Sequence, residues 1–369
     1  MKTALFTPGP GNTSDDVRAA LNCDIGTRTP QMTALTRQLR RQIAEVAECG
    51  EDFSVVPIQG SGTFAVEAML TSLLPMQAPC LVLVNGPYGE RMAEICQIYA
   101  LPHYILRSDP MRPINVAEVA DYLGSHPDIA ALAVIHFETG IGILNPLAAL
   151  LALAQQRGIR VFVDSMSAFG LLPIEFTSPA LSAVAASSNK VLHGAPGVGL
   201  VIARHDILAE PRPARTLSLN LQAQYCGFQR DGMWRFTPPV QVIAALSQAI
   251  GDYLREGGQA ARLQRYQRRA SRVIAGLAEF GIRPLVPESY GAPVIVTFVL
   301  PFAADVLSAG TLSERLLAYQ LAIYPSQVSE VNSFRIGFIG ELMENDADRL
   351  VVAIGEVVSE IRGQLEQPA

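Results

Sequence analysis

Of the 28 lysine and arginine residues in this chain of 369, only two, Lys2 and Lys190, are lysine. Lys190 stands in "SSNKVLHGAPGVG", whose small residues let backbone approach a ligand closely. A lysine amine can be desolvated and its pKa lowered, which frees it to attack a carbonyl and form a Schiff base. Arginine cannot do this. An ordinary surface lysine is the alternative, and the scarcity of lysine elsewhere favours the Schiff base.

An aldehyde cofactor such as pyridoxal phosphate needs a buried carboxylate at its pyridinium nitrogen so that it can act as an electron sink. "RVFVDSMSAFG" ends an apolar stretch on Asp164, where an open parallel sheet would present it to a ligand; a helix cap or turn former is the plainer reading. "QGSGTFAVEAML" sets Gly60, Ser61, Gly62 and Thr63 at the opening of a helix, a place for a phosphate, or else an ordinary strand-to-helix turn. It has neither the dinucleotide GxGxxG spacing nor that of a Walker loop. "NGPYGERM" puts Tyr88 in a glycine-flanked turn, able to lie flat on a cofactor ring or simply to pack. In "NSFRIGFIG" an apolar strand carries Arg335, which calls for an anion: a substrate carboxylate or phosphonate, or a structural salt bridge.

These residues need a scaffold. From residue 53, short apolar runs alternate with helical patterns: "FSVVPI", "PCLVLVN", "HYILRS", "ALAVIHF", "RVFVDS", "AVAASS" and "VGLVIAR" read as strands. Segments such as "GTFAVEAMLTSLL", "YGERMAEICQIYA" and "PLAALLALAQQRG" read as the helices between them. That alternation predicts an α/β fold with a mostly parallel seven-stranded sheet and helices on both faces. After about residue 240 the pattern becomes α+β: two long helices, "APVIVTFVL", a helix near 311–320, "AIYP", "SFRIGFIG" and a final helix. The expected division is 1–245, an N-terminal arm and a large cofactor-binding domain, and 246–369, a smaller C-terminal domain.

Composition narrows the function classes. A net charge of −6 argues against a nucleic-acid partner, and "QRRASR" reads as a solvated helix face. No apolar run approaches the roughly 20 residues of a membrane span, and the apolar stretch before Pro8 is too short for a signal peptide. Five cysteines show no metal-ligand spacing and fit reduced thiols, so the expectation is a cytoplasmic protein without a metal.

Taken together, "TPGP", "QGSGTFAVEA", "NGPYGERM", "HFETGIGILNP", "VDSMSAFG", "SSNK", "WRFTPP" and "FRIGFIGE" resemble the fold-type I, class V aminotransferases over nearly the whole chain. Within that family they are most similar to the branch that moves the amino group of 2-aminoethylphosphonate to pyruvate. The resemblance implies pyridoxal 5′-phosphate on Lys190, which would also shuttle the proton, with Asp164 at the pyridinium nitrogen and Tyr88 on the ring. It implies Ser61, Gly62 and Thr63 at the phosphate, Thr139 and Asn189 in the cofactor set, and Thr237 contributed by the second subunit of a homodimer. Arg335, with Arg28 as a further candidate, would hold the acidic end of the substrate.

Two stretches depart from the family pattern. "HFETGIG" has Gly140 and Ile141 where relatives carry hydroxyls expected near the ring, and "GTRTPQM" at 26–32 is altered although Arg28 is kept. Both are expected to bear on substrate choice. The other readings are an alanine- or serine-glyoxylate type aminotransferase, an enzyme for another small aminophosphonate, and a non-catalytic cofactor-binding protein. A cysteine desulfurase is disfavoured, because no cysteine follows Cys226 and Asn189 precedes the lysine where those enzymes tend to have histidine.

Overall fold

A computed structural model describes residues 3–326, 328 and 330–366. All seven expected strands form one sheet, in the order Phe53–Gln59, Val198–Arg204, Leu181–Ser187, Arg160–Asp164, Ala131–Ile135, Cys80–Val84, His103–Arg107. Val198–Arg204 runs antiparallel to both neighbours and the other pairings are parallel. Strands such as Cys80–Val84 and Ala131–Ile135 are buried at every residue, as a sheet covered on both faces requires. The strands of common direction therefore release their chains at one edge, where open α/β sheets collect ligands.

One long helix lies outside the elements read from the sequence. Pro30–Ala47 begins at Thr29, whose hydroxyl accepts from the Met32 N–H at 3.3 Å, with Pro30 in the first turn. Met32, Thr36, Leu39, Ile43 and Ala47 form its buried stripe against the large core. Burying each such large apolar side chain is worth about 1.5–3 kcal/mol.

The C-terminal part builds a four-stranded antiparallel sheet in the order Arg283–Pro284, Ile295–Val299, Ser333–Gly337, Tyr324–Pro325, backed by helices Gly258–Ala278 and Asp346–Glu366. The N-terminus belongs to this core: Ala4–Leu5 pairs in parallel with Leu321–Ala322, and Phe6 is fully buried there. The expected boundary at 245/246 falls inside helix Val240–Glu256, whose Ile243, Leu246 and Ile250 all join the large core. We therefore propose that the division between domains lies at the end of this helix, with the N-terminal strand crossing over to the small domain.

Among the described residues, no helix is long and apolar enough to cross a membrane, and no group of three or more His, Cys, Asp or Glu could hold a metal.

Candidate active site

A cavity of about 200 Å³ opens at the sheet edge where these strands end. Ser61, Gly62, Thr63, Tyr88, Thr139, Asp164, Asn189 and Lys190, drawn from five separate segments, all line it. The structure thus gathers eight of the eleven residues singled out in the sequence.

The helix Gly62–Leu73 points its N-terminus into the cavity. Its N-cap, Ser61, makes no side-chain cap, so the hydroxyl is free for a ligand. Gly60, at φ +125°, turns the chain from the strand into the helix, and a Cβ there would meet the Phe64 side chain at 2.5–2.8 Å. Across the cavity Ser187 ends its strand with a buried hydroxyl that has no partner.

Asp164 closes strand Arg160–Asp164 and is buried. Burial pushes its carboxyl up to about 6, against the Met166 N–H, which donates to Oδ1 at 2.9 Å, and the charges of Arg91 and Lys190. Lys190 is displaced the other way. Burial brings its amine down to about 8, the Asp164 charge opposes this, and Arg335 and Arg91 add to it. Its Nζ donates to the carbonyl oxygen of Pro8 at 2.5 Å.

Arg335 comes from the small-domain strand Ser333–Gly337. Its Nη1 donates to the Thr139 carbonyl at 3.2 Å and its Nη2 to the Pro325 carbonyl at 3.4 Å, while Nε has no partner. Only 6% exposed, it pairs with no carboxylate among the described residues. The salt-bridge alternative raised by the sequence is not what forms.

Arg335, Thr237 and Arg28 are not among the residues that line this cavity in a single chain. Thr237 is exposed, and its carbonyl accepts from Gln59 Nε2. Arg28 is exposed in the turn before helix Pro30–Ala47.

Neither Gly140 nor Ile141, the two departures expected to bear on substrate choice, is among the residues that line the cavity. Ile141 is buried away from the cavity with Ile143 and Val286 in a satellite apolar cluster. A Cβ at Gly140 would come within 2.5 Å of Pro87 Cγ, so that position has no room for any side chain in this backbone. Both lie in the buried loop of the hairpin that pairs Phe137–Glu138 with Ile143–Leu144.

Three groups were missed by sequence reasoning. Arg91 lines the cavity, lies over the Tyr88 ring at 4.9 Å and donates to Thr63 Oγ1 at 3.3 Å; its i+3 spacing from Tyr88 was the available signal. His136, driven down to about 4 by burial, meets Ser165 Oγ at 3.1 Å behind Asp164. Glu138 is fully buried, and burial raises its carboxyl to about 7.

Comparison with known proteins agrees with this geometry. The family model described as "Aminotransferase class-V" matches residues 12–311. A 2-aminoethylphosphonate–pyruvate transaminase from Pseudomonas aeruginosa is 37% identical over 97% of this chain and 96% of its own length. One from Pseudomonas putida is 37% identical over 97% of both chains. Among solved structures, an alanine–glyoxylate aminotransferase from Nostoc sp. superposes with a TM-score of 0.88 at 23% identity, covering 97% of this chain and 96% of that one. A pyridoxamine–pyruvate aminotransferase from Mesorhizobium loti gives 0.88 at 21%, covering 98% and 93%. At those identities the structures establish the fold.

Proposed function

The chain belongs to the class-V aminotransferase family, a fold-type I, pyridoxal-phosphate-dependent transaminase, and on that premise we propose that it transfers the amino group of 2-aminoethylphosphonate to pyruvate, giving phosphonoacetaldehyde and alanine. The observation that carries the substrate is Arg335: a buried guanidinium whose charge acts on the lysine amine, hydrogen-bonded to carbonyls alone and with Nε free. Glu138 acts on it only at a distance, so a buried cation in no ion pair calls for an anion, and a phosphonate supplies oxygens for its fork.

The cavity fits pyridoxal phosphate. The uncapped N-terminus of helix Gly62–Leu73 with the Ser61 and Thr63 hydroxyls suits its phosphate, the buried Asp164 carboxyl its ring nitrogen, and the Tyr88 face its ring. The unpartnered Ser187 hydroxyl marks a polar wall that wants a ligand. When bound, the cofactor supplies an aldehyde for amine exchange and a ring that takes up the electrons of a deprotonated carbon.

The protein's own residues do the rest. Lys190, with an amine near pKa 8, holds or releases a proton at Nζ close to neutral pH, as a group that takes a proton from carbon and returns it must. Asp164, buried at the end of its strand with the Met166 N–H on Oδ1, would hold the ring nitrogen of a bound cofactor. Thr139 and Asn189 share the cavity with the lysine, and Arg335, resting on the Thr139 carbonyl, would hold the substrate's anionic end.

Thr237 and Arg28 we assign to a homodimer in which a second copy brings them to the cavity. Exposed Phe64 and Phe236, which line a second hollow beside Gly60, support a partner surface there. Buried free thiols at Cys49, Cys80 and Cys96 support a reducing compartment, the cytoplasm.

The test is the visible absorbance of the purified protein before and after 2-aminoethylphosphonate without an acceptor, beside Lys190→Ala and an alanine control. The cofactor band is expected to fall with the phosphonate and return with pyruvate. Bleaching only with alanine or serine overturns the substrate, and a protein that takes up no pyridoxal phosphate overturns the reading as a whole.

A further inference from the structure

The helix Pro87–Ile98 that presents Tyr88 starts without a cap of its own: its N-cap is Gly86, which has no side chain to offer, and Pro87 has no N–H. The first helical N–H groups are those of Tyr88 and Gly89. Both donate to one oxygen of Glu138, Oε2, at 3.1 and 3.4 Å. The other oxygen, Oε1, accepts from the Gly140 N–H at 2.9 Å. Glu138 therefore caps a helix from a different segment of the chain and closes its own turn with the remaining lone pairs.

The surroundings are cut to this carboxylate. A Cβ at Gly86 would lie 2.7 Å from Glu138 Oε2, and one at Gly140 would lie 3.0 Å from Oε1. Among the described residues no ion pair satisfies Glu138; its hydrogen-bond partners are these backbone donors. Thr139, between Glu138 and Gly140, offers the carbonyl that Arg335 grips at 3.2 Å. The carboxylate thus touches the start of the Tyr88 helix on one side and the peptide turn under Arg335 on the other.

We propose that Glu138 is a positioning residue, one buried carboxylate that sets both the Tyr88 ring face and the Thr139 carbonyl on which Arg335 rests. This rests on the roles proposed above for Tyr88 and Arg335.

The experiment compares wild type with E138Q and E138D as holoenzymes. Glutamine has one acceptor oxygen in place of two and points an N–H₂ at N–H donors, while aspartate withdraws the charge by one methylene. Visible-region circular dichroism of the bound cofactor reports the ring's surroundings, KM and kcat for the phosphonate report the anchor, and melting of the apo-protein reports stability. Expected for E138Q are a cofactor dichroism changed by half or more and a KM raised about tenfold with a smaller loss in kcat. In a Tyr88→Ala background the E138Q change in dichroism should shrink by half or more, since the part carried by the Tyr88 ring is gone. Unchanged dichroism and KM with only a lowered melting temperature would overturn the proposal and leave Glu138 a helix cap. If E138Q fails to fold, E138D is read by the same criteria. If wild type itself ignores 2-aminoethylphosphonate, the substrate reading fails separately, and the dichroism and its Tyr88 dependence still decide the role of Glu138.

Discussion

The Lys190 amine and the Pro8 carbonyl oxygen meet at 2.5 Å across 182 positions of sequence, so the N-terminal arm lies directly on the group that does the chemistry. Gly9 makes the approach possible. At φ +111° it occupies a conformation that side chains rarely adopt, and a Cβ there would stand 2.7 Å from Lys190 Cδ and 2.8 Å from Nζ.

Gly9→Ala should therefore displace the lysine while leaving the fold intact. The expected outcome is a loss of cofactor affinity of about tenfold or more with far-ultraviolet dichroism unchanged, because backbone strain of this kind costs about 1–3 kcal/mol. Titration of the apo-protein with pyridoxal phosphate checks it, and an unchanged affinity would show that the arm moves aside freely.

The titration of Lys190 is directly observable, since only one other lysine is present. Its amine sits near 8 in the folded chain against an ordinary 10.5. Between those values the unfolded chain holds the proton that the folded chain has lost, so this group's contribution to stability rises with pH across that window and is least favourable below it. Carbon-13 lysine spectra of the apo-protein should show one signal with a midpoint near 8. Asp164→Asn removes the opposing charge and should lower that midpoint further; two midpoints near 10.5 would contradict the burial argument.

Arg335 tests the substrate anchor. Arg335→Gln should raise KM for 2-aminoethylphosphonate about 30-fold or more, corresponding to the loss of a buried charge-assisted pair worth about 2 kcal/mol or more. Arg335→Lys should not restore it, since a point charge cannot reproduce the fork. The apo-protein's melting temperature should fall little, because the native guanidinium already carries an unpartnered Nε. A large drop in stability with an unchanged KM would make Arg335 structural.

Much of this was legible in local sequence. The strands have apolar, β-branched centres bounded by turn residues, so all seven stood out, and Lys190 and Asp164 were marked by residue type and by their place at or beyond a strand's end. Helix Pro30–Ala47 carried its own signals, Thr29, Pro30 and apolar residues three and four apart, but its polar composition, "TRQLRRQ", hid them.

By itself the sequence determined which chemistry is available and where the chain turns, because strand periodicity, glycine turns and side-chain type act over a few residues. Only the tertiary structure decided how those groups are tuned. Pro8 on Lys190, Glu138 beneath Tyr88, and Arg335 resting on Thr139, 196 positions away, are contacts between distant segments. The packing of Ile141 in one cluster with Val286 is of the same kind. Burial, which moves the pKa of Lys190 down and those of Asp164 and Glu138 up, comes from the whole fold at once.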